Sequence, residues 1–215
     1  TESAEPGSDQ QFQFVKAFAQ LVIEPEHGAI LEQLGSGERV LPGLTIDTDL
    51  HWDLLGGRVL LGQAGAEDID ARLALDNTSN GAQAAARIRA MIPSEEHKRQ
   101  TFERLVSDQS LANVIVRSTT MGYNVANDPN LLAGLIDPYF EALDDIWSTR
   151  SYKMAEYLVE GLFPGVVTSD ELVEACHRWL DTSDAAPALR RMVEENLAGV
   201  LRARSAQQCD REAAR

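Results

Sequence analysis

The chain of 215 residues sets 19 Lys and Arg against 34 Asp and Glu, a formal net charge of -15, with 44% hydrophobic and 25% charged residues. That is the composition of a folded protein, long enough to bury roughly 70% of its unfolded surface in one domain or two small ones. The acidic excess excludes nucleic acid and anionic membranes as partners, because both would repel it. No apolar run approaches the ~20 residues of a membrane-spanning helix.

The opening, Thr1-Glu2-Ser3-Ala4-Glu5, has neither an initiator Met nor a signal peptide and reads as a piece of a longer protein. Residues 1–8 are expected to form an unstructured leader, with Ser8 as the N-cap of the first helix. In that helix Phe12, Val15, Phe18, Ala19 and Val22 repeat at the spacing of one buried face. Pro25 suits the first position of a second helix, which Gly35 or Gly37 ends. After a loop containing Pro42-Gly43, a third helix is predicted from Thr48 to about Ala64, closed by Gly65.

Short helices follow over about 66–77, 80–91, 94–107 and 110–125. Asp128-Pro129 opens the next, Asp137-Pro138 interrupts it, and an aromatic stretch runs through Tyr139, Phe140, Trp147, Tyr152 and Tyr157. Thr168 and Glu171 have capping-box spacing ahead of a helix to about residue 181. The last helix begins near Ser183 and gives way to a frayed tail over 206–215. No segment alternates as a strand would. The expected fold is all-α, a superhelical stack of antiparallel, HEAT-like helix hairpins without a sheet, forming a single domain over 9–205.

Catalytic chemistry is hard to place on these residues. A zinc peptidase needs two His one helical turn apart, and His27, His51, His97 and His177 are all farther apart than that. Gly35-Ser36-Gly37 starts like a dinucleotide loop, but Val40 stands where the third glycine belongs. Asp47, Asp49, His51 and Asp53 are the densest set of possible ligands, yet at every second position they spread around a helix, and Asp47 or Thr48 suits its N-cap. Cys176 falls on the core face with Leu172, Val173, Trp179 and Leu180, which leaves His177 toward the rim. Cys176 and Cys209 make no disulfide framework, in keeping with a reducing, cytoplasmic compartment.

The helix over 110–125 offers the best surface. Leu111, Val114, Ile115, Ser118 and Gly122 cluster on one expected core face, and Asn113, Arg117, Thr120 and Asn124 form a polar stripe on another. That stripe is either plain solvated surface or the lining of a concave binding groove.

Several segments together resemble one family. They are Asp47-Thr48-Asp49-Leu50-His51-Trp52, Asp76-Asn77-Thr78, Leu111-Ala112-Asn113, Met121-Gly122-Tyr123, Pro138-Tyr139-Phe140 and Ile146-Trp147-Ser148-Thr149-Arg150. Glu160-Gly161-Leu162-Phe163-Pro164 and Pro187-Ala188-Leu189-Arg190-Arg191 complete the set. This is similar to the C-terminal α-helical domain of bacterial aminopeptidase N, a zinc-dependent metalloaminopeptidase of the gluzincin type. The resemblance implies a HEAT-like superhelix that closes a chamber over a zinc site held in an upstream catalytic domain. The family's H-E-x-x-H and G-x-M-E-N motifs have no counterpart here, so the resemblance implies no catalytic or metal residue and no cofactor in this chain.

The implied partners are the catalytic domain of the same polypeptide and a peptide substrate. Asn113, Arg117, Thr120 and Asn124 are the candidate substrate contacts, with Arg150 as a further one that Asp144 or Asp145 could instead pair. A domain that packs on such a partner is also expected to keep an exposed apolar face. The alternatives are a stand-alone helical scaffold for a protein or peptide partner and an all-α transcription regulator, the latter disfavoured by the negative charge.

Overall fold

The computed structural model describes residues 4–214, and among these the chain is all-α, with no strand. Eleven α-helices and one 3-10 helix follow in sequence: α1 (Asp9–Gln20), α2 (Pro25–Ser36), α3 (Thr48–Leu60), α4 (Ala66–Leu75), α5 (Ser79–Ala90), α6 (Glu95–Ser107), α7 (Asn113–Tyr123), the 3-10 helix (Pro129–Leu135), α8 (Ile136–Thr149), α9 (Tyr152–Leu162), α10 (Asp170–Thr182) and α11 (Pro187–Ala213). They gather into two compact units, Thr1–Pro93 and Ser94–Arg215.

Local signals explain most boundaries. Ser8, Asp47, Thr78, Ser94 and Ser169 each accept a hydrogen bond from a backbone N–H in the first turn that follows, satisfying donors that the helix cannot. Pro25 and Pro187 occupy first turns, where no N–H is needed.

Part of the leader expected over 1–8 lies on residues 1–3, outside the described residues. Residues 4–8 are held: Ala4 is buried, and the Gly7 N–H donates to Gln11 Oε1 at 2.9 Å. The third helix stops at Leu60 rather than near Ala64. Gly62 adopts φ +70°, a left-handed turn that ends the helix, and Gly65 serves instead as the N-cap of α4. The helix opened by Asp128-Pro129 is a 3-10 helix that ends at Leu135, close to the expected interruption, and Pro138 falls within the first turn of α8. At the other end, α11 extends through the residues read as a frayed tail as far as Ala213, no Pro after Pro187 or left-handed Gly intervening to stop it.

In the first unit α3 is the hub, packing against α1, α2, α4 and α5. Its Leu50, Trp52, Leu54, Val59 and Leu60 are buried. In the second unit α9 takes that role between α6, α7, α8 and α11. The core of this unit includes Tyr123, Tyr139, Leu158, Cys176 and Val193. In the aromatic stretch Tyr139 meets its neighbour Phe140 and, beyond the end of α9, Phe163 edge-on with ring centroids 5.1 and 5.4 Å apart, and Trp147 of α8 meets Tyr152 of α9 at 5.6 Å.

Candidate functional site

The polar stripe on α7 divides in two. Thr120 is buried against α9, and its hydroxyl donates to the Arg117 carbonyl at 2.8 Å. Asn124 is half-buried, and its Nδ2 donates to the Gly161 carbonyl of α9 at 2.9 Å. Asn113 and Arg117 stay exposed. Among the described residues, the Arg117 guanidinium has no hydrogen bond or ion pair.

The expected core face of α7 holds at Leu111, Ser118 and Gly122 and fails at Val114. Val116, Thr120 and Tyr123 are buried along one side, with Ser118 and Gly122 buried on another, whereas Val114 is 49% exposed and Met121 53%. Packing against both α6 and α9 leaves only a narrow arc of α7 in solvent. That arc carries Asn113, Val114, Arg117 and Met121, so the cation stands between two apolar side chains. Sequence reading missed Val114 and Met121, which look like core residues in any apolar periodicity.

The C-terminal end of α7 is held by a buried cation. Lys98 on α6 is fully buried, and its Nζ donates to the Tyr123 carbonyl at 2.6 Å and to that of Val125 at 3.4 Å. A cation is favoured where a helix ends in unpaired carbonyls, but burial pulls the ammonium pKa down to about 8.

Arg150 is occupied elsewhere than expected. Its guanidinium donates to the Leu105, Val106 and Asp108 carbonyls at 3.2, 2.6 and 3.2 Å, closing the C-terminus of α6 and pairing with neither Asp144 nor Asp145. The possible ligand set is also put to structural use. Asp47 accepts from the Leu50 N–H, its carbonyl lies 2.8 Å from His51 Nδ1, and Asp53 pairs with Lys16 at 3.4 Å. Among the described residues no three His, Cys, Asp or Glu side chains are gathered as a metal would require. Cys176 is buried, which pushes its thiol up to about 11, and His177 is exposed.

Among the described residues this geometry leaves one outward arc on α7 and gathers no three His, Cys, Asp or Glu side chains. The ERAP1-like C-terminal domain family matches residues 1–202. The chain belongs to that family. Among curated proteins, aminopeptidase N from Streptomyces lividans is 35% identical over 212 residues, covering 99% of this chain and 25% of that protein. The chain therefore spans about a quarter of the length of the relative it matches.

Several of the segments that carried the resemblance meet in the structure. Trp52 Nε1 donates to Asp76 Oδ2 at 2.8 Å in a buried contact, joining two of them. Asp76 further accepts from the Thr78 hydroxyl at 2.7 Å, and these two hydrogen bonds, Trp52 first, hold its carboxyl below the ordinary carboxylate range. Tyr139 donates from its buried hydroxyl to the Val159 carbonyl at 2.8 Å. These residues are joints between helices.

Proposed function

We propose that this chain is the non-catalytic C-terminal domain of a zinc aminopeptidase, enclosing the chamber in which N-terminal amino acids are removed from peptides. The observation that carries the reading is the family match over nearly the whole chain, joined to a relative named as an aminopeptidase. The residues here do not suit zinc: His27 Nδ1 accepts from the Ile23 and Glu24 N–H groups at 3.4 and 3.3 Å, His51 sits against the Asp47 carbonyl, and no ligand cluster forms among the described residues. In this reading the metal and the water it activates belong to the preceding part of a bacterial, cytoplasmic polypeptide.

The substrate contact we propose is the outward arc of α7. Arg117 offers a planar fork for a peptide carboxylate, Asn113 an amide for its backbone, and Val114 and Met121 an apolar flank. Thr120, Asn124 and Arg150 support that arc and the neighbouring helices through the internal bonds described above.

The test uses the intact polypeptide. Arg117→Ala should raise KM for longer peptides with kcat almost unchanged, by about 1–2 kcal/mol if one charge-assisted contact is lost. Aminoacyl fluorophores too short to reach α7 should be cleaved as before. Equal kinetics at every peptide length would remove Arg117 from substrate binding, and an intact polypeptide without zinc-dependent aminopeptidase activity would remove the reading as a whole.

A further inference from the structure

The first unit holds a recess of about 210 Å³ between α1, α3 and α5. Its floor is apolar: Ala19, Ile88 and Met91 are buried there, and Gly56 contributes no side chain. A methyl group added at Gly56 would lie 3.4 and 3.5 Å from carbons of Ile88 and 3.8 Å from Met91 Cε, so the glycine leaves open the space a side chain would take. Charge lines the walls. Lys16 of α1 and Asp53 of α3 pair at 3.4 Å, and Gln20 Nε2 donates to Asp53 Oδ1 at 3.5 Å. Asp49 of α3, exposed, and Arg87 of α5, half-buried, line the same recess. Among the described residues neither of these two side chains has a hydrogen bond or ion pair.

We propose that this recess binds a free L-α-amino acid with an aliphatic side chain. Arg87 takes the carboxylate in its planar fork, Asp49 takes the ammonium, and the floor takes the side chain. The volume lies below the ~300 Å³ at which pockets for drug-sized ligands begin, which limits the occupant to a small molecule. Helix ends account for the sign of each charge, since Asp49 lies in the first turn of α3 and Arg87 in the last turn of α5. They do not account for both charges standing unpaired over one apolar floor.

The charges of the lining balance. Lys16 and Arg87 offset Asp49 and Asp53, in a chain whose net charge is -15. A simple anion here would meet the Asp49 carboxylate and a simple cation the Arg87 guanidinium, whereas a zwitterion is attracted by both. Exposed ion pairs are weak one at a time, so affinity in the millimolar range follows from two such pairs and one small apolar contact. The inference goes beyond the function proposed above and does not depend on it. Under that function, free amino acids are the class of molecule the reaction releases.

The experiment uses the intact polypeptide with a cysteine placed in the lining, Ala84→Cys, and Gln20→Cys as a second position. Modification by a small methanethiosulfonate is followed at that residue by mass spectrometry, so amino acids bound anywhere else do not enter the readout. L-leucine at about 10 mM, roughly ten times a millimolar Kd, should slow the modification at least about threefold. N-acetyl-leucine amide, with the same side chain and neither charge, should leave the rate unchanged. Protection should disappear in Arg87→Gln and in Asp49→Asn, and diminish in Gly56→Ala, whose methyl narrows the floor without a clash. Slowing of less than threefold at both positions, equal protection by the neutral amide, or protection retained in Arg87→Gln would overturn the proposal. None of these measurements involves peptide hydrolysis, so the outcome is separate from that of the test of Arg117.

Discussion

The side chain of Thr120 on α7 occupies the space that a side chain on Gly161 of α9 would need: a methyl group added at Gly161 would lie 2.9 Å from Thr120 Cγ2 and 3.0 Å from its Oγ1, and would overlap its Cβ. The glycine lets two helices approach until Asn124 can reach the Gly161 carbonyl. Alanine favours a helix interior by up to about 1 kcal/mol over glycine, but overpacking a contact with a rigid, β-branched neighbour costs about 1–3 kcal/mol. Gly161→Ala should therefore lower stability on balance. A denaturant midpoint unchanged or raised in Gly161→Ala would show that the helices can separate at no cost.

Arg150 and Arg117 should behave in opposite ways. Removing the Arg150 fork leaves three carbonyls at the end of α6 without their charged donor, so Arg150→Ala should cost about 1.5–3 kcal/mol, and Arg150→Lys should recover only part of it. Arg117→Ala removes an exposed, unbonded guanidinium and should change stability by less than about 0.5 kcal/mol. Equilibrium unfolding in urea compares the three variants. Equal losses for Arg117→Ala and Arg150→Ala would contradict the division of roles.

Asp76 gives an acid-side signature. Its carboxyl is held below its ordinary value by the bonds from Trp52 and Thr78, so the folded state binds its proton less readily than the unfolded chain. The stability this supplies is complete above the unfolded pKa and is lost as pH falls through the lower, folded one. Asp76→Asn should accordingly be less stable than wild type at neutral pH, with the gap narrowing as the solution is acidified through that range. A gap constant down to the acid limit would show that Asp76 titrates alike in both states.

Lys98 gives the opposite signature on the alkaline side. Its folded pKa of about 8 lies below the ordinary 10.5, a difference worth about 3 kcal/mol. Between these values the unfolded chain holds the proton and the folded chain releases it, so stability rises with pH. The cost of burying the charge is full below pH 8 and relieved as pH approaches 10.5. The stability of wild type relative to Lys98→Met should therefore climb across that interval, which removes the contribution of other groups common to both proteins. A flat difference would mean that the Tyr123 and Val125 carbonyls keep the ammonium charged.

Capping, helix starts and the all-α class were legible because their causes are local. A Ser or Asp beside free N–H groups, or a Pro in a first turn, acts within a few residues of chain. The segments that carried the family resemblance include residues that join helices, such as Trp52 to Asp76, Tyr139 to the Val159 carbonyl, and Gly161 against Thr120. The orientation of α7 was not local. Its eleven residues have apolar side chains on several sides, and the sequence alone offers no way to choose among them. The close approach allowed by Gly161, from one side, and the reach of Lys98 from another decided that Thr120 and Asn124 turn inward while Val114 and Met121 face water. Arg150 was misjudged for the same reason, since the carbonyls it caps lie more than forty residues away along the chain. Local signals thus determined where most helices begin, and only tertiary contacts between distant residues decided which of their faces stay exposed.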